Sequence, residues 1–157
     1  MNNLNAIGLN KDKAKNLAEK LNVLLANYSI FYQNTRGYHW NIKGKEFFEL
    51  HAKFEELYDD LIIKIDEVAE RILTLGETPE HAYSDYSKTS TIKVSGKVTD
   101  GIKAAGEVLE GLQIIIGLQR EILELSGDTN DEGTNALMSD YIGEQEKLVW
   151  MYSAFLK

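Results

Sequence analysis

Two histidines and two acidic residues in this chain have the types and spacings of a metal site. His39, His51, Asp66 and Glu70 follow one another at intervals of 12, 15 and 4 residues. Imidazole and carboxylate ligands suit iron, manganese or zinc, and the absence of cysteine excludes thiolate sites. Asp66 and Glu70 stand four residues apart in a helical run, so both carboxylates point the same way.

The length of that helical run prevents one chain from closing the site. His51 precedes Asp66 by 15 residues, which is roughly 22 Å along a helix, whereas a metal needs its ligand atoms at about 2 Å. Two copies packed antiparallel about a two-fold axis would bring the histidine end of one opposite the carboxylate end of the other. Such symmetry creates two identical sites per dimer. Glu55, one turn after His51, is either a further ligand or the acceptor that fixes an imidazole tautomer.

A second interpretation of the same residues needs no metal. Histidines and scattered acids occur on many helical proteins, and the segment DEVAER is equally compatible with a solvated helix face. Spacing alone leaves both interpretations open.

Apolar residues recur at helical spacing along most of the chain, which predicts four long helices. They are expected at residues 11–36, at 45–75, from Val98 to a stop at Gly127, and from Leu137 to Phe155. Because a structureless connection of twenty residues is unusual, we expect a short extra helix near residues 82–87. The chain is predicted to be one all-α domain over residues 1–157, an antiparallel four-helix bundle in which residues 1–10 form a short flexible tail. It contains no Glu-x-x-His, the motif of di-iron sites inside one bundle.

Composition excludes several classes of protein. The 157 residues are 43% hydrophobic and 27% charged, with a formal net charge of −8. No stretch approaches the ~20 apolar residues of a membrane span, and the N-terminus lacks the apolar block of a secretory signal. We therefore expect a cytoplasmic protein without membrane contact. An acidic chain also argues against a general nucleic-acid binder, since phosphate neutralisation needs lysine and arginine.

The segment 39–71 resembles the signature of the Dps family, the dodecameric miniferritins known as DNA-binding proteins from starved cells. It contains HW, a glycine followed by FF, then LH, and D-E-x-A-E-R with its aspartate fifteen residues after that histidine; the ending WMYSAFL is similar to the family's C-terminal helix. The resemblance implies a ferritin-like bundle and a hollow dodecamer built from two-fold dimers. It also implies a ferroxidase centre with His39 and His51 from one subunit and Asp66 and Glu70 from its partner.

The resemblance further implies an activity and its accessory residues. The expected protein oxidises Fe(II), preferably with hydrogen peroxide, and stores ferric mineral; zinc or manganese would be substitute metals. The family places a tryptophan beside the centre, so Trp40 is either an electron donor or simply a core or interface aromatic. Tyr38 and Tyr58 are weaker candidates for the donor role.

The stretch GDTNDEGTN resembles the family segment that lines pores on three-fold axes. Asp128, Asp131 and Glu132 are the residues expected there, although Ala136 departs from relatives that are acidic at its position. The alternative is that these acids cap the N-terminus of a helix.

Two other functions compete with iron oxidation. The first is a nucleoid-associated protein that binds DNA, with iron secondary. Relatives that do so use a lysine-rich tail, whereas the first fifteen residues here carry only Lys11, Lys13 and Lys15, so DNA binding is not expected. The second is a structural helical oligomer with a vestigial site.

Overall fold

The computed structural model describes residues 2–157, which form five helices. These are α1 (Lys11–Asn41), α2 (Phe47–Thr74), α3 (Tyr83–Thr89), α4 (Gly101–Asp128) and α5 (Glu132–Phe155). Over these residues the only β-type pairing is two isolated bridges. The prediction of an all-α bundle with a short extra helix between its second and third long helices is confirmed. None of the helices in the described range has the length and apolarity to cross a bilayer.

The bundle is assembled from two helix pairs. Helix α1 packs along α2, α4 packs along α5, and α1 also contacts α4 and α3. Large side chains that are fully buried, such as Leu21, Phe31, Phe54 and Leu112, form the core between the pairs. The two helices predicted to carry the metal ligands, α1 and α2, are therefore packed against each other along their length.

Helix α1 continues five residues beyond its predicted end, and this extension carries His39. Gly37 does not stop the helix, because the residues that follow it are anchored in the bundle. The Tyr38 hydroxyl donates to Glu107 on α4 at 2.6 Å, and the His39 side chain is only 8% exposed. Burial thus overrides the weak helical preference of one glycine.

Two asparagines on α1 hold the long connection between α3 and α4. The Asn27 side-chain oxygen accepts hydrogen bonds from the backbone of Thr91 and Ile92 and from the Ser90 hydroxyl. Asn34, two turns later, donates to the Lys93 carbonyl and accepts from the Ser95 amide. These contacts order an extended segment that apolar periodicity does not detect.

A closed ring of three polar side chains lies in the middle of the bundle. The Tyr28 hydroxyl donates to the oxygen of Gln119. The Gln119 amide donates to Gln145 at 2.7 Å, and the Gln145 amide donates back to the Tyr28 hydroxyl at 2.7 Å. All three are almost completely buried, and burial is the main reason that the pKa of Tyr28 is raised. The ring satisfies every polar atom it buries.

The N-terminal residues form hydrogen bonds with one another and with the bundle, whereas the sequence predicted a flexible tail over residues 1–10; residue 1 itself lies outside the described range. The Asn5 amide donates to the Leu9 carbonyl at 2.8 Å, and the Asn5 side chain donates to the Leu75 carbonyl at the end of α2. Asn10 caps α1 by accepting from the Lys13 amide. Local asparagine hydrogen bonds therefore fold this polar segment back onto the bundle.

Candidate metal centre

The two predicted histidine ligands meet at the junction of α1 and α2. His39 lies in the last turn of α1 and His51 in the first turns of α2. Their rings stack with centroids 3.7 Å apart and planes 11° from parallel. The short connection reverses direction at Gly44, whose φ of 115° favours glycine.

Crossed hydrogen bonds fix the orientation of both rings. The Nδ1 atom of His39 lies 2.7 Å from the carbonyl oxygen of His51, and the Nδ1 atom of His51 lies 2.7 Å from the carbonyl oxygen of His39. A carbonyl only accepts, so each Nδ1 carries the proton. Each Nε2 is then left with its lone pair free, which is the form in which an imidazole binds a metal.

Aromatic rings and one carboxylate surround this pair. Phe47 stacks on His51 at 4.8 Å, and the ring of Tyr58 meets His39 edge-on at 5.3 Å. Loss of hydration, followed by the charges of Glu55 and Asp59, raises the pKa of the Tyr58 phenol. The Glu55 carboxylate lies 3.7 Å from the free Nε2 of His39. This is too long for a hydrogen bond, and an ion lying between the two atoms would contact both.

The predicted carboxylate ligands lie together near the other end of α2, where both are exposed. Protonated Glu70 can donate a hydrogen bond to Asp66, and this bond, together with the negative charge of Asp66, raises the pKa of Glu70. Two carboxylates this close together also favour a bound cation, because a cation offsets the repulsion between their charges.

The structure keeps the imidazoles and the carboxylates apart within one chain. Helix α2 is continuous from Phe47 to Thr74, so 15 residues of unbroken helix, about 22 Å, separate His51 from Asp66. Among residues 2–157, no three His, Asp or Glu side chains are grouped closely enough to hold a metal ion.

The predicted electron donors occupy three different environments. Trp40 is half exposed, with the Arg36 guanidinium 4.8 Å from its ring centre. Tyr38 is turned towards Glu107 on α4, and burial is the largest cause of its raised pKa. Of the three candidate electron donors, Tyr58 is the one whose ring contacts His39, although the sequence analysis favoured Trp40 over it.

The predicted pore residues also separate into two kinds. Asp131 is buried and is the N-cap of α5, where it accepts from the Thr134 amide and pairs with Arg71 of α2 at 2.6 Å. Within one chain, the Asp131 carboxylate therefore caps a helix, which was the alternative to the pore role. Asp128 and Glu132 are exposed beside it.

The sequence analysis did not predict that Phe47 stacks on His51 or that Arg71 links two helices. Arg71 donates to Thr134 as well as to Asp131, joining the end of α2 to the start of α5. A β-carbon at Gly133 would stand 2.7 Å from the Arg71 guanidinium, so this glycine leaves room for it. The position of arginine directly after the carboxylate pair was the available signal for this link.

Comparison with known proteins identifies the class to which this bundle belongs. Residues 18–157 match the Ferritin family, described as a ferritin-like domain. The chain is similar to a solved Dps protein from Vibrio cholerae O1, described as a member of a broad superfamily of ferritin-like diiron-carboxylate proteins. The two share 59% identity at a TM-score of 0.97, with 100% of this chain and 98% of the other covered.

Two further relatives narrow the class to one family. The DNA protection during starvation protein of Porphyromonas gingivalis is 44% identical, covering 97% of this chain and 96% of its own. A Dps structure from Bacillus brevis is 29% identical with a TM-score of 0.90, covering 93% of this chain and 98% of its own. The chain belongs to the Dps family of ferritin-like proteins. This membership supports iron binding, iron storage and protection, and assembly into a homo-oligomer.

Proposed function

We propose that this protein is a ferroxidase that completes its iron sites between two-fold-related chains and stores the oxidised iron in a hollow dodecamer. One observation carries the proposal: the chain presents two free imidazole nitrogens at one end of α2 and two unneutralised carboxylates about 22 Å further along it. An antiparallel partner brings its carboxylates to the imidazoles of this chain and its imidazoles to the carboxylates of this chain.

Each residue has a stated part in this reaction. His39 and His51 hold Fe(II) through Nε2, with Glu55 beside them, while Asp66 and Glu70 of the partner bind the same site. Carboxylates are hard ligands that favour Fe(III) over Fe(II), so they favour oxidation of the bound substrate. Zinc and manganese are substitute ions for the same ligand types.

Hydrogen peroxide is the proposed oxidant. Two Fe(II) each lose one electron to one peroxide molecule, its O–O bond breaks, and both oxygens leave as water after taking up two protons. Because both electrons reach the same peroxide molecule, the paired reaction itself releases no hydroxyl radical, and such radicals arise only from iron that reacts singly. Oxidation and protection are therefore the same step.

Storage requires ferrous ions to reach the interior of the shell. Twelve chains would carry a formal charge of about −96, which attracts cations. The exposed carboxylates of Asp128 and Glu132 are the proposed entry residues. Asp131, paired with Arg71, holds their loop in place.

Mixing two inactive variants tests the shared site directly. His51→Ala chains lack an imidazole, and Asp66→Ala chains lack a carboxylate, so each homo-oligomer should oxidise Fe(II) poorly in stopped-flow mixing with peroxide. A mixed dimer holds one site with both defects and one intact site. Random co-assembly should therefore restore about a quarter of the wild-type sites.

The controls separate a shared site from an internal one. His51→Ala chains mixed with Glu70→Ala chains should recover equally, whereas Asp66→Ala mixed with Glu70→Ala should recover nothing, because both lack the same half. Size exclusion would verify that every mixture assembles. If neither of the two mixtures that contain His51→Ala chains recovers activity, although both assemble, the proposal is refuted.

DNA binding is not expected to be the function. Asn3 forms hydrogen bonds with Lys11 and Asp12 of α1, and Asn5 forms one with the end of α2; the chain is also acidic. We expect no retardation of duplex DNA in a gel at ~0.15 M salt, where weak phosphate contacts are screened. A clear shift at that salt concentration would contradict this expectation.

A further inference from the structure

A cleft between α1, α4 and the extended segment that connects α3 to α4 has a volume of about 620 Å³. This volume lies within the size range of pockets that hold small molecules. None of the predicted metal ligands lines the cleft. The hydrogen bonds that Asn27 and Asn34 form with the extended segment hold that wall in place, so the cleft is a preformed part of the fold.

One carboxylate in this cleft is held in position but not neutralised. The Oε1 atom of Glu107 accepts hydrogen bonds from the Tyr38 hydroxyl at 2.6 Å and from the Ser95 hydroxyl at 2.8 Å. Its Oε2 atom has no partner among residues 2–157. No enclosed side-chain polar atom in that range lacks a partner, so Oε2 is open to solvent. A half-buried carboxylate with a free oxygen attracts a cationic group that can donate hydrogen bonds.

Positive charge lines the same cleft. Lys103 stands one helical turn before Glu107 on α4, and Lys93 lies in the extended segment. Neither lysine forms an ion pair within residues 2–157. Side chains four residues apart on a helix have their Cβ atoms about 5–6 Å apart. One cationic and one anionic group on a single small ligand can therefore reach Glu107 and Lys103 at once.

Other parts of the wall are apolar or carry no side chain. Phe31 of α1 and Ile114 of α4 contribute hydrocarbon surface, and Gly106 and Gly111 also line the cleft. A Cβ atom at Gly111 would collide with the Phe31 ring, whereas one at Gly106 would have no atom within 4 Å. Open volume therefore adjoins Gly106, next to Glu107.

We propose that this cleft binds a free α-amino acid with a large apolar side chain. The ammonium group of the ligand donates to Oε2 of Glu107, and its carboxylate pairs with Lys103. Its side chain packs against Phe31 and Ile114, where burial of apolar surface favours binding. A polyamine fits less well, because the lysines repel a second positive charge. This site is additional to the proposed iron centre and does not rest on it.

Equilibrium dialysis of the assembled protein with radiolabelled L-phenylalanine measures this binding. We expect saturable uptake of about one amino acid per chain, with a dissociation constant of about 1 mM or below. Hydrocinnamate lacks the ammonium group and should bind at least about 10-fold more weakly, because it leaves Glu107 unpaired. Phenethylamine lacks the carboxylate and should bind about 3-fold more weakly, since pairing with the exposed Lys103 is screened by water.

These three compounds give clear outcomes. Absence of saturable phenylalanine uptake, or equal binding of hydrocinnamate, would overturn the proposal. Phenethylamine that binds as tightly as phenylalanine would overturn the assignment of the ligand to the amino acids.

Two substitutions test whether the amino acid binds in this cleft. Glu107→Gln keeps an oxygen that can accept from Tyr38 and Ser95 but removes the charge, and it should weaken binding at least about 10-fold. Gly106→Leu places a side chain in the open volume and should abolish binding. The matched control is Gly117→Leu, at an exposed glycine of the same helix outside the cleft, and it should bind as the wild type does.

Circular dichroism and size exclusion verify that each variant folds and assembles. Phenylalanine binding that is unchanged in both Gly106→Leu and Glu107→Gln, or that is lost equally in Gly117→Leu, would overturn the assignment to this cleft.

Discussion

The two ends of α2 differ in how much of a metal site one chain builds unaided. At the histidine end, crossed hydrogen bonds and ring stacking fix both imidazoles before any ion arrives, and His39 is also buried. At the carboxylate end, Asp66 and Glu70 are exposed and repel each other. The first half is preorganised, whereas the second half, under the proposed function, needs a cation and a partner to neutralise its charge.

This difference separates structural residues from purely functional ones. A substitution in the imidazole pair removes contacts that hold α1 to α2 as well as a ligand. A substitution in the carboxylate pair removes only a ligand. Stability and activity should therefore change together at one end and independently at the other.

The largest expected effect is at the two ligand positions. His51→Ala and Asp66→Asn should each slow Fe(II) oxidation on the order of 100-fold or more. His51→Ala should also lower the free energy of unfolding by about 1–2 kcal/mol, because it deletes the hydrogen bond to the His39 carbonyl. Asp66→Asn should leave the unfolding midpoint unchanged or slightly higher, since it relieves repulsion with Glu70.

Thermal unfolding of metal-free protein at equal concentrations measures this contrast, since bound iron or a changed oligomer would shift the midpoint by itself. Equal losses of stability in the two variants would show that the two ends do not differ as described.

An intermediate effect is expected at Arg71, which anchors the carboxylate end. Arg71→Gln leaves the buried Asp131 carboxylate without its counter-charge, which should cost about 3 kcal/mol of stability. The matched control is Arg120→Gln, which breaks an ion pair with Glu146 in which both side chains are half exposed. That change should cost less than about 1 kcal/mol. Similar midpoints for the two variants in denaturant unfolding would contradict the anchoring role.

The smallest expected effect is at Trp40. Its indole is half exposed beside Arg36, and Trp40→Phe should change stability by less than about 1 kcal/mol. Iron oxidation should stay within about twofold of wild type. If the indole reduces stray hydroxyl radical to hydroxide, the variant should give more hydroxyl spin adduct during turnover. An unchanged adduct yield would assign Trp40 a packing role only.

Much of the fold could be predicted because apolar periodicity is strong in the long helices. Helix α2 was expected at residues 45–75 and spans Phe47–Thr74, and the short helix expected at 82–87 spans Tyr83–Thr89. The end of α1 was placed five residues early, since Tyr38 and His39 extend it through tertiary contacts. The hydrogen bonds of residues 3–10 were not predicted, because side-chain hydrogen bonds of asparagine leave no periodic pattern in the sequence.

The residues of the candidate site could be proposed from the sequence, but the contacts around them could not. Spacing and helix rise showed that His51 and Asp66 cannot share an ion within one chain. The crossed bonds between His39 and His51 depend on the path of the loop through Gly44, which spacing does not encode. The link between Arg71 and Asp131 joins residues 60 positions apart, so it required the packed bundle.

The ring of Tyr28, Gln119 and Gln145 has a consequence for when iron chemistry can begin. These neutral side chains satisfy one another and occupy the interior that a lone bundle would otherwise offer to an ion. Under the proposed function, a newly made subunit therefore holds no complete oxidising site and acquires one only when it joins another subunit. Iron oxidation would then begin only while the enclosure proposed for its products is being built.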